Sequence, residues 1–118
     1  MSDCIFCRIV KKEIPAKIIY EDDLVLAFED IHPQAPVHLL AIPKVHIESL
    51  AHSTAEHQSL LGHLMVKIPE IARLKDLNKG FRTIVNTGSI AGQEVHHIHA
   101  HILGNSMSLP RMMGSIHS

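Results

Sequence analysis

The sequence predicts an α+β domain: an antiparallel sheet of about five strands, one long helix packed on it, and a short N-terminal helix. Five short runs rich in β-branched or other apolar residues have the length of strands. They lie at residues 17–21, 24–30, 38–43, 80–88 and 96–104. Between the third and fourth runs, apolar residues recur at helical spacing, which indicates a helix whose apolar stripe packs on a sheet. These residues are Leu60, Leu61, Leu64, Met65, Ile68, Ile71 and Ala72.

Turn and capping residues set the expected limits of the two helices. Residues 3–12 form a short helix that should end before Pro15, because proline disfavours helix in the residue before it. The long helix should begin at a capping box at residues 53–56, with the serine as cap, and end at the turn at 78–80. Pro69 should kink this helix or weaken its hydrogen bonds locally.

The composition bounds the class of protein. A length of 118 residues with 46% hydrophobic residues fits one globular domain, which we place at residues 1–104, followed by a C-terminal tail at 105–118. The formal net charge of −1 offers no broad basic field, so no nucleic-acid partner is expected. No apolar run reaches the roughly 18 residues of a membrane span, and the N-terminus does not resemble a signal peptide. We therefore expect no membrane partner and a cytoplasmic location.

Histidine is the unusual residue, with 11 copies, of which four fall within residues 96–101. Successive side chains of a strand point to opposite faces, so His97, His99 and His101 would share one face and the apolar residues between them the other. Such a row of imidazoles can combine one attacking nitrogen with neighbours that bind a phosphoryl group. A metal site on alternating ligands, or a solvated strand face, would give the same pattern.

The run H-I-H-A-H-I-L at residues 97–103 resembles the signature of the histidine triad (HIT) family. The resemblance to the Hint branch of that family covers roughly residues 3–104, through residues 18–47, SLLGHLM, LNKGFR and IVNTGSIAGQEV. It implies a HIT-like fold, a homodimer, and hydrolysis of purine nucleoside 5′-phosphoramidates (AMP or GMP derivatives) at the P–N bond. The reaction would pass through a nucleotidyl-histidine and release the nucleoside monophosphate. Dinucleoside polyphosphate hydrolysis and a nucleotide-binding regulatory role are the alternatives.

The resemblance also implies roles for individual residues. His99 matches the nucleophile, and its other ring nitrogen should donate a hydrogen bond to a backbone carbonyl or a carboxylate, which fixes the tautomer. His101 and His38 match histidines that bind the phosphoryl oxygens. Asp30 and Ile31 match the contacts to the ribose and the base. Asp30 could instead simply begin the turn that follows it.

Further matches lie in the glycine-containing segment before the histidines. Asn86 and the backbone of Gly92 and Gln93 match positions that line the sugar and the phosphate, although a strand end would also explain Asn86 and backbone geometry would also explain Gly92. Glu94 departs from the serine usual in Hint proteins. An acid there would repel the phosphate unless it is protonated or turned away. His96 replaces a tyrosine of many relatives, and we expect it to be structural.

The two cysteines form a Cys4-x-x-Cys7 pair, which alone is open to zinc binding, redox chemistry or simple burial. Several members of the wider family bind zinc through such a pair together with two histidines, which match His46 and His97. The resemblance therefore implies a structural zinc site of Cys4, Cys7, His46 and His97. Other relatives keep part of this set without metal, with the cysteines as small core residues.

Overall fold

The computed structural model describes residues 3–105 and residue 109. Its strands are β1 (Ile18–Glu21), β2 (Val25–Glu29), β3 (Val37–Pro43), β4 (Arg82–Ile84) and β5 (Ala100–Gly104). Its helices are α1 (Ile5–Val10) and α2 (Gln58–Arg73), with short 3-10 turns at Leu50–His52, Ala55–His57 and Ser89–Ala91. All neighbouring strands are antiparallel, in the order β1-β2-β3-β5-β4. The predicted fold class is confirmed.

The two faces of the sheet are covered by different helices, because side chains alternate along each strand. On one face, Leu39 and Ile102 pack with Leu64 and Ile68 of α2 in a buried apolar cluster. The opposite face is covered by α1, whose two buried apolar residues pack on the sheet. This second cluster contains Phe6, Ile9, Leu26, Phe28, Leu40 and Ile42. The face covered by α1 is the one that carries the histidines.

The long helix begins later and ends earlier than its sequence signals predict. The capping box is formed by Thr54 and His57, not at the predicted serine and Glu56, and it opens a 3-10 turn that leads into α2. The helix ends at Arg73, before the predicted stop at 78–80, because a turn with Asp76 at φ 61° follows it. Pro69 lies inside α2, which continues through it without interruption.

The last two strands are shorter than predicted. β4 covers only 82–84 of the predicted run 80–88. β5 begins at Ala100 rather than in the histidine run, because the preceding backbone bonds elsewhere: the N–H of His97 donates to the carbonyl of Val95, and that of Ile98 to the carbonyl of Ile47. The residues from 95 to 97 therefore form a bend and not an extended strand.

The predicted boundary between the domain and the C-terminal tail stays a prediction. Apart from residues 105 and 109, the predicted tail at 105–118 lies outside the described residues, as do residues 1 and 2 of the predicted domain. Within the part of the chain that the structure describes, no helix has the length and apolar character needed to cross a membrane.

Candidate active site

The sheet register brings three of the predicted histidines together. His101 on β5 lies opposite Leu40 on β3, two residues along that strand from His38, which lies opposite Leu103. The ring centroids of His38 and His101 are 5.1 Å apart, and those of His99 and His101 are 5.0 Å apart. These three rings form a contiguous group, which we call the histidine cluster.

The His97 ring lies on the same face of the sheet but does not join this cluster, so the row of three histidines is divided. The bend before β5 turns the His97 ring toward the cysteines of α1, and this ring is fully buried. Phe6 contacts the His97 and His99 rings edge-on, with centroid distances of 6.0 and 5.2 Å. The same face of the sheet therefore serves two sites, one on each side of Phe6.

The backbone carbonyl of His97 holds the His99 ring in a single tautomer. Its side chain is buried, and Nδ1 lies 2.8 Å from the carbonyl oxygen of His97. Because a carbonyl oxygen only accepts, Nδ1 must carry the proton, and in the neutral ring Nε2 then has a free lone pair. The hydrogen bond expected for a neutral nucleophile is present.

A second chain of hydrogen bonds fixes the tautomers of His38 and His101. The backbone N–H of Gln34 donates to Nδ1 of His38 at 2.9 Å, so the proton of the neutral His38 ring is on Nε2. Nε2 of His38 lies 2.9 Å from Nδ1 of His101, so Nδ1 must accept a hydrogen bond from the Nε2–H of His38. The neutral His101 ring therefore carries its own proton on Nε2, where it can be donated to a substrate oxygen.

Burial keeps both of these rings uncharged. It lowers the pKa of His101 to about 4, with smaller contributions from repulsion by His99 and His38 and an opposing one from Asp30. Burial also lowers the pKa of His38, although the nearby Asp30 carboxylate opposes the shift. At neutral pH His38 and His101 thus offer hydrogen bonds from neutral rings rather than a full positive charge.

Asp30 and Ile31 lie at the end of β2, next to the histidine cluster. Oδ2 of Asp30 is 3.4 Å from Nε2 of His38, while Oδ1 accepts from the backbone N–H of His32 at 2.8 Å. Asp30 therefore begins the turn and also borders the cluster, so both readings of this residue have a structural basis. The Ile31 side chain is 84% exposed, as an apolar contact for a ligand must be before binding.

The glycine-containing segment gives mixed results for the predicted substrate residues. Asn86 is half-buried just after β4, and Gly92 has a φ of 92°, which favours glycine. The Gln93 side chain is buried and bonds only to backbone groups, so it is not available to a ligand in this structure. Glu94 is exposed and lines a cavity of about 440 Å³ together with His96, Asp3, Cys4, Ile5, His46, Glu48 and Val95.

The four predicted metal ligands come together beside α1. Nδ1 of His97 lies 3.3 Å from Sγ of Cys4, 3.6 Å from Sγ of Cys7 and 3.1 Å from Nδ1 of His46. The fourth contact, between Cys7 and His46, is 3.3 Å. Tetrahedral zinc with its usual bond lengths has S–N edges of about 3.5 Å and N–N edges of about 3.3 Å. The donor atoms therefore fit a tetrahedral zinc ion.

The surroundings of His97 also suit a metal ligand. Its Nε2 lies 2.8 Å from the carbonyl oxygen of Pro43 and must donate to it, which leaves Nδ1 as the ligating nitrogen. Burial lowers the pKa of the His97 ring, so it stays neutral. Burial raises the pKa of the Cys4 thiol, so a positive ion at this point would be needed to favour the thiolate.

Asp30, His38 and His101 also approach one another closely enough to hold an ion. A metal on Nε2 of His38 would force the ring proton onto Nδ1, where the N–H of Gln34 already donates. The group is therefore better described as a hydrogen-bonded relay than as a second metal site.

Three residues of these sites were not anticipated from the sequence. Gln34 acts through its backbone, which no side-chain pattern reveals. Pro43 contributes only its carbonyl oxygen, although its position at the end of a predicted strand marks where the chain leaves the sheet. Phe6 belongs to the apolar side of the first helix, and only the packing shows that it lies between two histidine rings.

Comparison with known proteins places this fold and site in one class. The chain matches the family model described as the scavenger mRNA decapping enzyme C-term binding domain over residues 3–117. Protein HitA of Neisseria gonorrhoeae is 58% identical over 104 residues, which cover 88% of this chain and 97% of the relative. The cyanobacterium Synechococcus elongatus has an uncharacterized HIT-like protein that is 56% identical over 103 residues, 87% of this chain and 90% of the relative.

Two solved structures of HIT proteins are also similar to this chain. The histidine triad protein from Clostridium difficile superposes with a TM-score of 0.88 at 46% identity, over 94% of this chain and 96% of that one. A HIT family hydrolase from Legionella pneumophila Philadelphia 1 superposes with a TM-score of 0.85 at 43% identity, over 92% and 98%. The chain belongs to the histidine triad (HIT) family, and these neighbours support a hydrolase in general.

The depressed pKa of His101, at about 4, predicts a loss of stability in acid. In the unfolded chain this histidine takes up its proton near the ordinary pKa of 6.5, so stability falls as the pH falls from 6.5 toward 4. After discounting for partial exposure, the effect is about 1 to 2 kcal/mol. Urea unfolding at pH 7 and pH 4.5 should show a smaller acid loss in His101→Gln than in the original chain. Equal losses in the two proteins would contradict this assignment.

Proposed function

We propose that this HIT-family protein is a Hint-like hydrolase that cleaves the P–N bond of purine nucleoside 5′-phosphoramidates. The observation that carries the proposal is the fixed tautomer of His99, whose Nδ1 is committed to the His97 carbonyl at 2.8 Å. An imidazole nitrogen with a free lone pair is a competent nucleophile at phosphorus when an oriented donor lies beside it. His101 supplies that donor at Nε2.

The reaction would run in two displacements at the same phosphorus. Nε2 of His99 attacks, the P–N bond breaks, and the amine leaves after its nitrogen takes up one proton. The nucleotidyl group is then bonded to His99, and water displaces it to give the nucleoside monophosphate and the neutral ring. The Nε2–H of His101 would stabilise the phosphoryl oxygens in both steps, because their charge increases in each transition state.

The nucleoside would lie toward the end of β2. The Asp30 carboxylate borders the histidine cluster and can accept hydrogen bonds from the two ribose hydroxyls, and the exposed Ile31 can contact the base. Asn86 and the backbone from Gly92 to Glu94 would line the sugar and phosphate. Glu94 also lines the cavity beside Cys4 and His46, so its carboxylate has a place away from the phosphate.

Replacing His99 by Ala should abolish turnover of an AMP amidate, by at least about a thousandfold, because no other group can form the covalent intermediate. Nucleotide binding should persist. The matched control is His96→Gln, which changes an exposed neighbouring histidine and should retain activity. Turnover should be measured on AMP amidates and on dinucleoside polyphosphates in parallel.

The results of this panel separate the alternatives. A preference for dinucleoside polyphosphates would assign the second activity of the family to this chain. Tight nucleotide binding by the original protein, without turnover and without a nucleotidyl-histidine in rapid-quench samples, would indicate a regulatory module. Near-normal amidate turnover in His99→Ala would rule out the proposed mechanism.

We also propose that Cys4, Cys7, His46 and His97 hold a structural zinc ion. The four donor atoms lie within 4.8 Å of one another, and the second nitrogen of His97 is already hydrogen-bonded. When bound, zinc would supply cross-linking rather than chemistry, since a closed tetrahedral site has no open position for substrate. Thiolate ligands must stay reduced, which agrees with the expected cytoplasmic location.

The purified protein should contain about one zinc ion per chain, measured by plasma mass spectrometry, and Cys7→Ser should lose most of it. A chelator should lower the unfolding temperature of the original protein but not that of Cys7→Ser. His99→Ala should keep its zinc. Loss of zinc from His99→Ala would instead mean that the triad is itself the ligand set.

We further propose that the protein forms a homodimer through α2 and the β4 edge of the sheet. Met65 and Val66 on α2 are 55% and 71% exposed, and among the described residues β4 is a terminal strand of the sheet. An exposed apolar helix surface and an open strand edge are each typical of an interface.

Size-exclusion chromatography with light scattering should give twice the mass of the chain. Val66→Asp should shift the protein toward monomer, because a buried unpaired carboxylate weakens an apolar interface. The control is Leu24→Asp, an equally drastic change at an exposed apolar residue in the β1–β2 turn. A monomer mass for the original protein would reject the dimer.

A further inference from the structure

The Gln93 amide joins three separate backbone segments. Its Oε1 accepts from the N–H of Gly88 at 2.8 Å, and its Nε2 donates to the carbonyl oxygens of Glu48 at 2.7 Å and Val95 at 3.0 Å. The side chain is 4% exposed, so these bonds are made away from solvent. Both N–H donors and the oxygen of the side-chain amide are therefore hydrogen-bonded within the protein.

The contact with Val95 lies on a short hydrogen-bonded path to His99. The Val95 carbonyl oxygen also accepts from the N–H of His97 at 2.9 Å, which closes the bend before β5. The carbonyl of His97 then accepts from Nδ1 of His99 at 2.8 Å. The His97 carbonyl shares its rigid peptide plane with the Ile98 N–H, which donates to the carbonyl of Ile47 at 2.7 Å, so this bond and the turn closed at the Val95 carbonyl together limit where the His97 carbonyl can point.

The contact with Glu48 ties the same bend to the loop after β3. The next residue pair along these segments is also bonded, since the N–H of Ile98 donates to the carbonyl of Ile47 at 2.7 Å. Without the Gln93 amide, the Glu48 carbonyl would lose this buried partner. The bend is therefore held on two sides, by its own turn and by the neighbouring loop.

The contact with Gly88 closes the glycine-containing loop on itself. Gly88 and Gln93 exchange two hydrogen bonds, because the N–H of Gln93 also donates to the Gly88 carbonyl at 3.1 Å. Gly88 and Gly92 have φ values of 85° and 92°, which ordinary side chains rarely adopt. The amide thus joins the loop at 88–92 to the bend that precedes His99.

We propose that Gln93 is a positioning residue that fixes the orientation of the His99 ring through Val95 and the His97 carbonyl. The consequence for catalysis rests on the proposed function, whereas the consequence for the ring does not. A nucleophile that is free to rotate about its side-chain bonds spends less time in line with phosphorus, so the rate falls while substrate binding changes little.

The test uses two variants of the full-length protein. Gln93→Met keeps the length of the side chain and removes all three hydrogen bonds. Gln93→Glu keeps the acceptor for Gly88 and removes both donors, so it isolates the contacts to Glu48 and Val95. For each variant, nitrogen-15 NMR reports the tautomer of His99 and the protection of its Nδ1–H, and steady-state kinetics gives kcat and KM for an AMP amidate.

In both variants we expect the Nδ1–H signal of His99 to exchange at least about tenfold faster, and kcat to fall about tenfold or more with KM changed less than about threefold. The control is Asp22→Ala, which removes a carboxylate bonded to the backbone of Leu24 and Val25 and to Tyr20, in the β1–β2 turn. It should lower the unfolding temperature and leave both His99 signals and kcat unchanged.

An unchanged Nδ1–H signal in a folded Gln93→Met protein would overturn the proposal, whatever the activity. If that variant does not fold, the same measurement on Gln93→Glu decides. The proposal would also be overturned if Asp22→Ala lost as much kcat as the Gln93 variants for the same loss of stability. A general loss of stability would then explain the lower kcat. If the original protein does not cleave amidates at all, the proposed function fails, and the NMR result still decides the role of Gln93.

Discussion

The hydrogen bond from Nδ1 of His99 to the His97 carbonyl determines which nitrogen of the central ring can react. It forms only because the chain bends at 95–97, so that a carbonyl turns toward the side chain two residues later. The same bend sends the His97 ring in the other direction, toward the cysteines of α1. One local departure from strand geometry therefore creates both sites and keeps them apart.

The histidine cluster controls its protons through the backbone rather than through carboxylates. The Gln34 N–H selects the tautomer of His38, which selects that of His101. One backbone donor therefore determines the tautomers of both rings. Burial holds the pKa values of His38 and His101 below the ordinary histidine value. Neutral rings with fixed donors suit the proposed release of a nucleoside monophosphate, since a permanent positive charge would retain such a product.

The short helix α1 is a structural part of both sites. Six residues of helix are too few to be stable alone, so α1 depends on its contacts with the sheet. Phe6 packs on the His97 and His99 rings, and Cys4 and Cys7 approach His97 and His46. Any zinc bound by these four residues would add a cross-link between α1, the loop after β3 and the entry to β5, where the histidine cluster begins.

The sequence by itself determined the fold class, the two helices and five strands, and the identity of the family, because hydrophobic periodicity and a dense motif are local properties of the chain. It also predicted His38, His99 and His101 as site residues, together with the four candidate metal ligands. It misplaced the start of α2 and extended β5 backward through the histidines, because capping and strand limits depend on which backbone partner is nearest.

Only the tertiary structure decided the tautomer of each ring and the bend that separates His97 from His99 and His101. It also showed that the Gln93 side chain bonds to the backbone of three segments, a role separate from the one predicted for its own backbone. These features rest on carbonyl and N–H groups of Pro43, Gln34, Glu48 and Val95, which every residue possesses in nearly the same form. Side-chain patterns carry no record of where such groups point, so their role is fixed only when distant segments pack together.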